Sequence, residues 1–358
     1  MPRRPSIADL ARVLNLSPST VSRALADHSE VSEGTRQRVQ QLAQEMGYQP
    51  NQVAVALRKG RSNTLGVLVP HLAGSFFPEV VDGITEAASA VGYNVMICQS
   101  HDNAHQERRS LELLLQAPVA GVLVSVASAT HEFSHFEAVQ TAGLPLVFFD
   151  RAVAGFTGPG VSSVVLDDYA GAYAATAHLL AEGYRRVACF SGPQHLAIYQ
   201  QRYQGYLQAL RDHGLPHQPE LVFHAEQPHQ RIGAAHMREL LALPQPPDAI
   251  FSASDAAVVG ALQVLKERGL RIPGDVALAG FSNAEFTAFT DPPLTTVDQC
   301  SQQMGREAVR QLLHLLRAGA LPTPPVVLRP KLLIRASSQR LAGAVPAVEP
   351  VGRSGEAA

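Results

Sequence analysis

The sequence predicts an α/β protein in which a small all-α head precedes two doubly wound α/β subdomains. Short amphipathic helices fill the first 48 residues. From residue 64 onward, apolar strand-like runs alternate with helices, which is typical of parallel sheets covered on both faces. This alternation spans roughly 270 residues, more than one doubly wound sheet usually needs, so two subdomains are expected.

The head begins with two closely spaced helices. In the first, residues 7–14, apolar side chains recur at the spacing of an amphipathic helix. Ser6 and Asp9 are spaced as a capping box at its start. Ser17 is the expected N-cap of the second helix, and Pro18 follows in its first turn, where the missing N–H of proline costs nothing. The turn between the helices is therefore short.

A third helix is predicted between Ser32, its expected cap, and Met46, and Gly47 suits its left-handed end. Three such helices in about 45 residues form a helix-turn-helix arrangement. The outer face of the second helix carries hydroxyl and guanidinium groups of the kind that bind base edges in DNA. These groups belong to Ser19, Thr20, Ser22 and Arg23. The alternative is a solvated face on a small three-helix domain.

The charge distribution favours a polyanionic partner for the head. Residues 1–62 hold nine Lys/Arg and five Asp/Glu, a net charge of +4, whereas the remainder holds 20 and 26, a net charge of −6. The segment 47–64 combines a short apolar stretch with basic residues. It predicts a hinge helix, too short to be stable alone, whose apolar side chain wedges into a minor groove. A plain linker helix is the alternative.

In the body, nine apolar runs extend from LGVLVP (65–70) to VALAGFS (276–282), separated by amphipathic helices. We expect a ligand cleft between the two subdomains at the C-terminal ends of the strands. Phe76 and Phe77 follow the first strand and suit stacking on a flat or ring-shaped ligand, although core aromatics are an equal alternative. Arg202 suits an oxygen-rich ligand or a surface ion pair.

Two patterns suggest catalysis or metal binding, and both are incomplete. GFSNA (280–284) nearly matches the nucleophile elbow G-x-S-x-G, and Asp298 and His314 follow in hydrolase order. However, Ala284 replaces the final glycine and His314 lies inside a predicted helix. CQSHDNAH (98–105) offers metal-ligand side chains but has no second ligand cluster. We therefore expect no enzyme, no metal and no cofactor.

The composition predicts a soluble cytoplasmic protein. No apolar run reaches the roughly 18 residues of a membrane span. The N-terminus is basic but lacks the apolar core of a secretory signal. The three cysteines are scattered and imply no disulfide framework, which fits a reducing compartment.

Six motifs occur in a fixed order along residues 6–338. They are SIADLARVLNLSPSTVSRAL, VSEGTRQRVQQLAQEMGYQPNQVAVALRKG, LGVLVP, GLPLVFFDR, GLRIPGDVALAGFSN and PPLTTVDQ. In this order they resemble the LacI/GalR family of bacterial transcriptional regulators. The resemblance implies a helix-turn-helix DNA-binding domain (1–48), a hinge helix and linker (49–63), an effector-binding and dimerisation domain of periplasmic-binding-protein type (64–340), and a disordered tail (341–358).

The resemblance also implies a function. A homodimer binds a pseudo-palindromic DNA operator, most commonly as a repressor, under the control of a small effector such as a sugar or sugar derivative. The implied DNA-binding residues are Ser6, Ser17, Pro18, Ser19, Thr20, Ser22, Arg23, Asn51, Ala54, Leu57 and Arg58, with Leu57 as the minor-groove wedge. The implied effector-binding residues are Phe76, Phe77, Asp150, Ile198, Arg202, Ser254, Asp255, Ser282 and Gln299.

Some positions depart from the family pattern. Ser282 stands where many members have an aspartate that binds sugar hydroxyls, and Leu196 and Ile198 are apolar where purine-sensing members are polar. A purine effector is therefore disfavoured. The tail lacks the leucine heptads with which some members tetramerise, so a dimer is expected. The alternative function is a cytoplasmic sugar-binding protein without operator-specific DNA binding.

Overall fold

The computed structural model describes residues 5–48, 62–318 and 323–340. The chain divides into two compact units with the boundary between Asn63 and Thr64. The predicted hinge positions and the tail 341–358 lie outside the described residues. The hinge positions concerned are Asn51, Ala54, Leu57 and Arg58.

The N-terminal unit contains α1 (Ile7–Leu14), α2 (Pro18–Leu25) and α3 (Glu33–Glu45). All three match the predicted helices. Their inward faces form one small apolar core, to which α2 contributes Val21 and Ala24. The buried members of this core are Leu10, Ala11, Val21, Ala24, Val31, Val39 and Ala43.

The predicted caps of this unit are present with one exception. The backbone N–H of Ser6 donates to Asp9 Oδ2 at 2.9 Å, and the N–H of Asp9 donates to Ser6 Oγ at 3.3 Å. This reciprocal pair is the predicted capping box. Ser17 caps α2 as predicted. The expected side-chain cap at Ser32 is wrong, because its hydroxyl donates to the Thr35 hydroxyl at 2.9 Å instead of accepting from the helix backbone.

The second unit alternates strands and helices. The strands are β1 (Thr64–Val69), β2 (Asn94–Gln99), β3 (Val122–Val124), β4 (Leu146–Phe149), β5 (Val161–Leu166), β6 (Val187–Ser191), β7 (Val222–His224), β8 (Ala249–Ser252), β9 (Ala277–Ser282), β10 (Thr295–Asp298), β11 (Val326–Leu328) and β12 (Lys331–Leu333). The helices are α4 (Phe76–Ser89), α5 (Ala104–Gln116), α6 (Ser134–Thr141), α7 (Asp168–Ala181), α8 (Ala197–Asp212), α9 (Gln230–Leu241), α10 (Asp255–Glu267) and α11 (Ser301–Ala318).

The strands form two six-stranded sheets, one in each lobe of this unit. The first has the order β11-β5-β4-β3-β1-β2 and the second the order β12-β10-β9-β8-β6-β7. The nine predicted apolar runs correspond to β1–β9, and pairing is parallel throughout except between β10 and β12. The predicted fold class is confirmed.

The chain passes between the lobes three times, after β5, after β10 and between β11 and β12. The last three strands were not predicted as separate elements. They matter because the chain crosses from one lobe to the other after β10 and again between β11 and β12. The C-terminal ends of β1–β4 in the first lobe and of β6–β10 in the second face a common cleft, lined by the segments that follow them.

Candidate functional sites

The outer face of α2 is the first candidate site. Val21 and Ala24 point into the core of the unit. The opposite side of α2 lines a shallow concave surface together with Ile7 and His28. The α2 residues on this surface are Pro18, Ser19, Ser22 and Arg23. The structure therefore brings together most of the predicted base-reading side chains on one exposed face.

Hydroxyl groups at the start of α2 form a local cluster. Ser17 Oγ lies 2.8 Å from the hydroxyl oxygens of both Ser19 and Thr20, and it accepts the Thr20 N–H at 3.1 Å. Ser6 is also engaged within its own turn, because its hydroxyl donates to Asp9 Oδ2 at 2.6 Å. These hydroxyls stand at the N-termini of α1 and α2, where backbone N–H groups favour an anion such as phosphate.

Arg23 has an acidic neighbour that the sequence did not single out. Its Nη1 lies 3.3 Å from Glu30 Oε2, and His28 Nδ1 lies 3.9 Å from the same oxygen. Both His28 and Glu30 belong to the short loop between α2 and α3. The signal for them in the sequence is weak, because a polar loop after a helix is ordinary.

The second candidate site is a cleft of about 600 Å³ between the two lobes. It is lined by residues that follow the C-terminal ends of strands in both sheets. Eight of the nine predicted effector-binding residues lie on its wall. They are Phe76, Phe77, Asp150, Ile198, Arg202, Ser254, Ser282 and Gln299.

One side of the cleft is apolar and aromatic. Phe76 is half-buried and packs edge-on against Phe77, with the ring centroids 5.0 Å apart. Phe77 is buried, and the Arg151 guanidinium lies 5.7 Å from its ring centroid. Ile198 and Tyr199 contribute from the other lobe. This arrangement leaves Phe76 as the more accessible ring for stacking on a ligand.

Asp150 lies at the end of β4 and is almost fully buried in the cleft wall. Its backbone is left-handed, with φ of 56°. Burial raises the pKa of the Asp150 carboxyl to about 6, although the nearby Arg151 and Arg202 guanidinium groups act to lower it. No described residue donates a hydrogen bond to this carboxylate. It is therefore a buried acceptor that a ligand can use.

Three of the five N–H donors of Arg202 are engaged within the protein. Its Nε donates to Asp168 Oδ1 at 2.7 Å, and its Nη1 donates to the carbonyl of Ala253 at 2.9 Å. Its Nη2 donates to Gln299 Oε1, also at 2.9 Å, and the guanidinium lies 3.8 Å from the ring centroid of Phe281. Arg202 thus holds the cleft wall together, and few of its donors are free for a ligand.

Ser282 does not form a hydrolase site. Its hydroxyl accepts a hydrogen bond from Gln299 Nε2 at 2.7 Å, while His314 is exposed on α11. Asp298 accepts from the backbone N–H of Cys300. The nucleophile, base and acid that the sequence placed in hydrolase order are therefore not in contact with one another.

Asp255 is the predicted effector-binding residue that the structure places elsewhere. Its carboxylate accepts the Ala284 N–H at 2.8 Å and the Thr296 hydroxyl at 2.7 Å, behind the cleft wall. Burial raises its pKa to about 6 despite these hydrogen bonds. A Cβ on Gly280 would lie 2.1 Å from Asp255 Oδ1. The glycine of the GFS motif therefore leaves room for this carboxylate, and Asp255 anchors the loop that carries Ser282.

The structure adds cleft residues that sequence reasoning missed. Asp102 follows β2, accepts the Ser128 N–H at 2.8 Å and pairs with Arg151. Burial acts to raise the pKa of Asp102, but the Arg151 charge and the Ser128 N–H outweigh it and lower the pKa. The remaining additions are His71, Ala73, Gly74, His101, Tyr199, Glu226, Gln227, Pro228, His229, Ala253 and Ala256. Most of them lie in loops that follow strands, a position that many residues share, and only His101 and Asp102 belong to a segment (98–105) that the sequence analysis singled out.

The two lobes touch across the mouth of the cleft. His195 Nε2, from the second lobe, lies 2.7 Å from the carbonyl oxygen of Ser128 in the first. The His195 ring also packs against His131, with centroids 4.1 Å apart. Because Ser128 also binds Asp102, this contact is linked to the cleft wall.

The segment 98–105 contributes His101 and Asp102 to the cleft. Within the described ranges, no group of three or more His, Cys, Asp or Glu side chains is arranged to hold a metal ion. In the same part of the chain, no helix is long and apolar enough to cross a membrane.

A helix-turn-helix unit followed by a two-lobed ligand-binding unit defines a class of ligand-controlled transcription regulators, and comparison with known families agrees. The model of periplasmic binding proteins and the sugar binding domain of the LacI family matches residues 62–323. The model of bacterial regulatory proteins of the lacI family matches residues 6–51. The chain belongs to the LacI family of bacterial regulatory proteins.

Individual relatives match almost end to end. The HTH-type transcriptional repressor CytR of Escherichia coli (strain K12) is 33% identical over 336 residues, which cover 94% of this chain and 97% of CytR. The ribose operon repressor of the same strain is 30% identical over 336 residues, 93% of this chain and 99% of the relative. These relatives are transcription regulators rather than enzymes.

Solved structures of the same kind superpose on this chain. A transcriptional regulator CelR–cellobiose complex has a TM-score of 0.71 and 31% identity, and the match covers 93% of this chain and 100% of that one. The lac repressor dimer bound to operator and the anti-inducer ONPF has a TM-score of 0.82 and 25% identity, covering 94% and 100%.

Proposed function

We propose that this regulator is a cytoplasmic homodimeric repressor of a pseudo-palindromic operator, controlled by an uncharged sugar or sugar derivative in the cleft. The observation that carries the proposal is the combination of two sites in one chain. One is an exposed helix face with hydroxyl and guanidinium groups, and the other is a polar, aromatic cleft between two lobes. Relatives that bind operator DNA and cellobiose support both halves.

The DNA half rests on α2. Arg23 offers two N–H donors in a geometry that matches guanine O6 and N7, and the α2 hydroxyls suit phosphate or base edges. The hinge residues, with Leu57 as the wedge, are carried over from the family pattern and lie outside the described residues.

The effector half rests on the charges in the cleft. Arg202 is paired with Asp168 and Arg151 with Asp102, so the positive charge of each cleft guanidinium is already balanced by a neighbouring carboxylate. Asp150 offers a buried acceptor, and Arg151 Nε is a buried donor with no hydrogen-bond partner among the described residues. A sugar hydroxyl both donates and accepts, so it can satisfy both groups. An anionic ligand would meet the charge of Asp150.

Selection of bound duplexes from a random DNA library tests the DNA half, with the full-length protein at two salt concentrations. We expect a palindromic motif that is bound less tightly as salt rises, because Lys and Arg release counterions from the phosphates. Binding without a motif would instead favour the alternative, a sugar-binding protein without operator-specific DNA binding. A panel of neutral, phosphorylated and acidic sugars is then tested for an effect on operator binding. An effect from the charged sugars alone would refute the neutral-effector assignment.

The variant Arg23→Ala tests base recognition directly. It should lose about 1–3 kcal/mol of discrimination between the selected motif and a motif with one guanine replaced. Gel-shift titration of both duplexes gives the ratio. Arg12→Ala is the matched control, because Arg12 lies on α1 and pairs with Asp9 away from the α2 face. Equal losses of discrimination in both variants would contradict the assignment of Arg23.

We also propose that the protein has no catalytic activity. Supporting this, Ser282 is bonded to Gln299 and His314 is exposed on a separate helix. Hydrolysis of ester or glycoside substrates that disappears in Ser282→Ala would refute it.

A further inference from the structure

Glu30 is an acidic residue placed beside a surface proposed to bind a polyanion. It follows α2 in the loop to α3, and its Oε2 contacts Arg23 Nη1 at 3.3 Å and His28 Nδ1 at 3.9 Å. The Glu30 and Arg23 side chains are 63% and 56% exposed. A carboxylate here disfavours DNA binding by simple charge repulsion, so its contact with Arg23 needs another explanation.

Two other acidic side chains of this unit have different partners. Asp27 pairs with Arg36 at 2.8 Å, and Glu45 accepts a hydrogen bond from Gln41 at 3.0 Å. Neither partner lies on α2. The contact of Glu30 with a residue proposed to read bases is therefore specific in position and not a general property of the acidic groups in this unit.

The geometry of the contact leaves Arg23 able to bind DNA. Arg23 lines the concave surface on the outer face of α2, whereas Glu30 does not. The closest approach is made by Nη1, and at 3.3 Å the two side chains form an ion pair without a hydrogen bond. A guanidinium has five N–H donors in a fixed plane, so Nη2 and Nε stay available for the two acceptors of guanine.

We propose that Glu30 is a positioning residue for DNA recognition, which orients the Arg23 guanidinium for bidentate binding of a guanine. The inference rests on the proposed function. Arginine loses substantial rotamer freedom when it is fixed in a complex, and a partner that orders it beforehand reduces that loss. The benefit is confined to the base that accepts both hydrogen bonds. Glu30 therefore raises discrimination at one base position.

The alternative is that Glu30 competes with DNA for Arg23. The two roles predict opposite signs. A competitor holds Arg23 most strongly in the free protein, so its removal strengthens binding of the guanine-containing motif at least as much as binding of the substituted motif. Removal of a positioning residue instead weakens binding of the guanine-containing motif more than binding of the substituted motif, so the ratio of the two affinities falls. A general effect of removing one negative charge acts on both duplexes and cancels in this ratio.

The test uses the full-length protein and two duplexes, the selected motif and the same motif with the Arg23-dependent guanine replaced. That guanine is the position at which Arg23→Ala loses discrimination. We expect Glu30→Ala to lower the affinity ratio about three- to five-fold, in line with the upper range for an exposed ion pair. Glu30→Gln retains an acceptor oxygen and should recover part of the ratio. Glu45→Gln makes the same change of charge away from α2 and should leave the ratio unchanged.

The double variant Arg23→Ala/Glu30→Ala completes the cycle. If Glu30 acts through Arg23, adding Glu30→Ala to Arg23→Ala leaves the ratio unchanged. A further fall in the double variant would overturn the proposal, because Glu30 would then act on DNA without Arg23. A ratio that is unchanged or raised in Glu30→Ala alone would also overturn it. A wild-type protein that does not discriminate between any duplexes would refute the proposed function as well, whereas the other outcomes leave that function intact.

Discussion

Replacement of Arg202 by methionine should destabilise the two-lobed unit strongly, and the deficit should depend on pH. Methionine keeps most of the apolar stem but removes the guanidinium, which is 3% exposed and lies 2.7 Å from Asp168 Oδ1. Asp168 is then a buried charge without its partner, and this typically costs about 3–5 kcal/mol. The carbonyl of Ala253 and the side chain of Gln299 lose donors as well, so a total of about 4 kcal/mol is a reasonable expectation.

The direction of the pH dependence follows from Asp168. Burial already raises its pKa above the ordinary value of 3.8, although Arg202 acts to lower it. Without Arg202 the pKa rises further. An acid with a raised folded-state pKa destabilises the fold in its ionised form, and protonation removes that penalty. The deficit of Arg202→Met should therefore be largest near pH 8 and shrink as the pH falls towards about 5.

Urea denaturation followed by far-UV circular dichroism and tyrosine fluorescence measures this deficit, since the chain has eight tyrosines and no tryptophan. The double variant Arg202→Met/Asp168→Asn is the control, because it removes the buried charge together with its partner and should recover part of the stability. A deficit below about 1 kcal/mol, or one of equal size at both pH values, would show that the ion pair does not have the burial we assign to it.

Four further predictions concern positions on other elements. Asp150→Asn should stabilise the effector-free protein by about 2–3 kcal/mol above pH 6, because the pKa of Asp150 is raised from 3.8 to about 6 and its ionised form is disfavoured. The gain in stability should vanish on acidification. Equal stability of variant and wild type at neutral pH would contradict this prediction. Gly233→Ala should lower the urea midpoint, because the new Cβ would lie 1.9 Å from the carbonyl oxygen of Ala257. Gly34→Ala, in the open on α3, should instead stabilise the N-terminal unit by about 0.5–1 kcal/mol, and a loss there would refute the packing we describe. His195→Ala should weaken the effector response that the sugar panel reveals, since it removes the contact between the lobes at Ser128. An unchanged half-maximal effector concentration would show that this contact has no part in the response.

Local features of this chain could be predicted from its sequence because their causes lie within a few residues. The capping box of Ser6 and Asp9 depends on a three-residue spacing, and the left-handed backbone at Gly47 depends on which residue types tolerate it. The nine apolar runs became strands because they are buried on both faces of parallel sheets. The family motifs located eight of the nine expected residues on the cleft wall.

Tertiary structure decided the remainder. Asp255 was expected to bind the effector, because it is an aspartate that follows a strand. In the structure, the Ala284 N–H and the Thr296 hydroxyl hold its carboxylate behind the cleft wall. Short strands such as β10 and β12 are recognised only in the folded structure, where they pair with each other in antiparallel orientation.

Arg202 is a second residue whose partners could not be predicted from the sequence. It was predicted as a ligand contact or a surface ion pair, and the structure buries it in the cleft wall, where it donates to Asp168, Ala253 and Gln299. These partners lie 34, 51 and 97 residues away in the chain. The sequence by itself thus determined the elements and the class of protein, because helix caps and buried runs depend on near neighbours. Which polar groups remain free in the cleft was decided by the tertiary structure, because a buried polar group takes whichever partner the folded chain brings within hydrogen-bond distance.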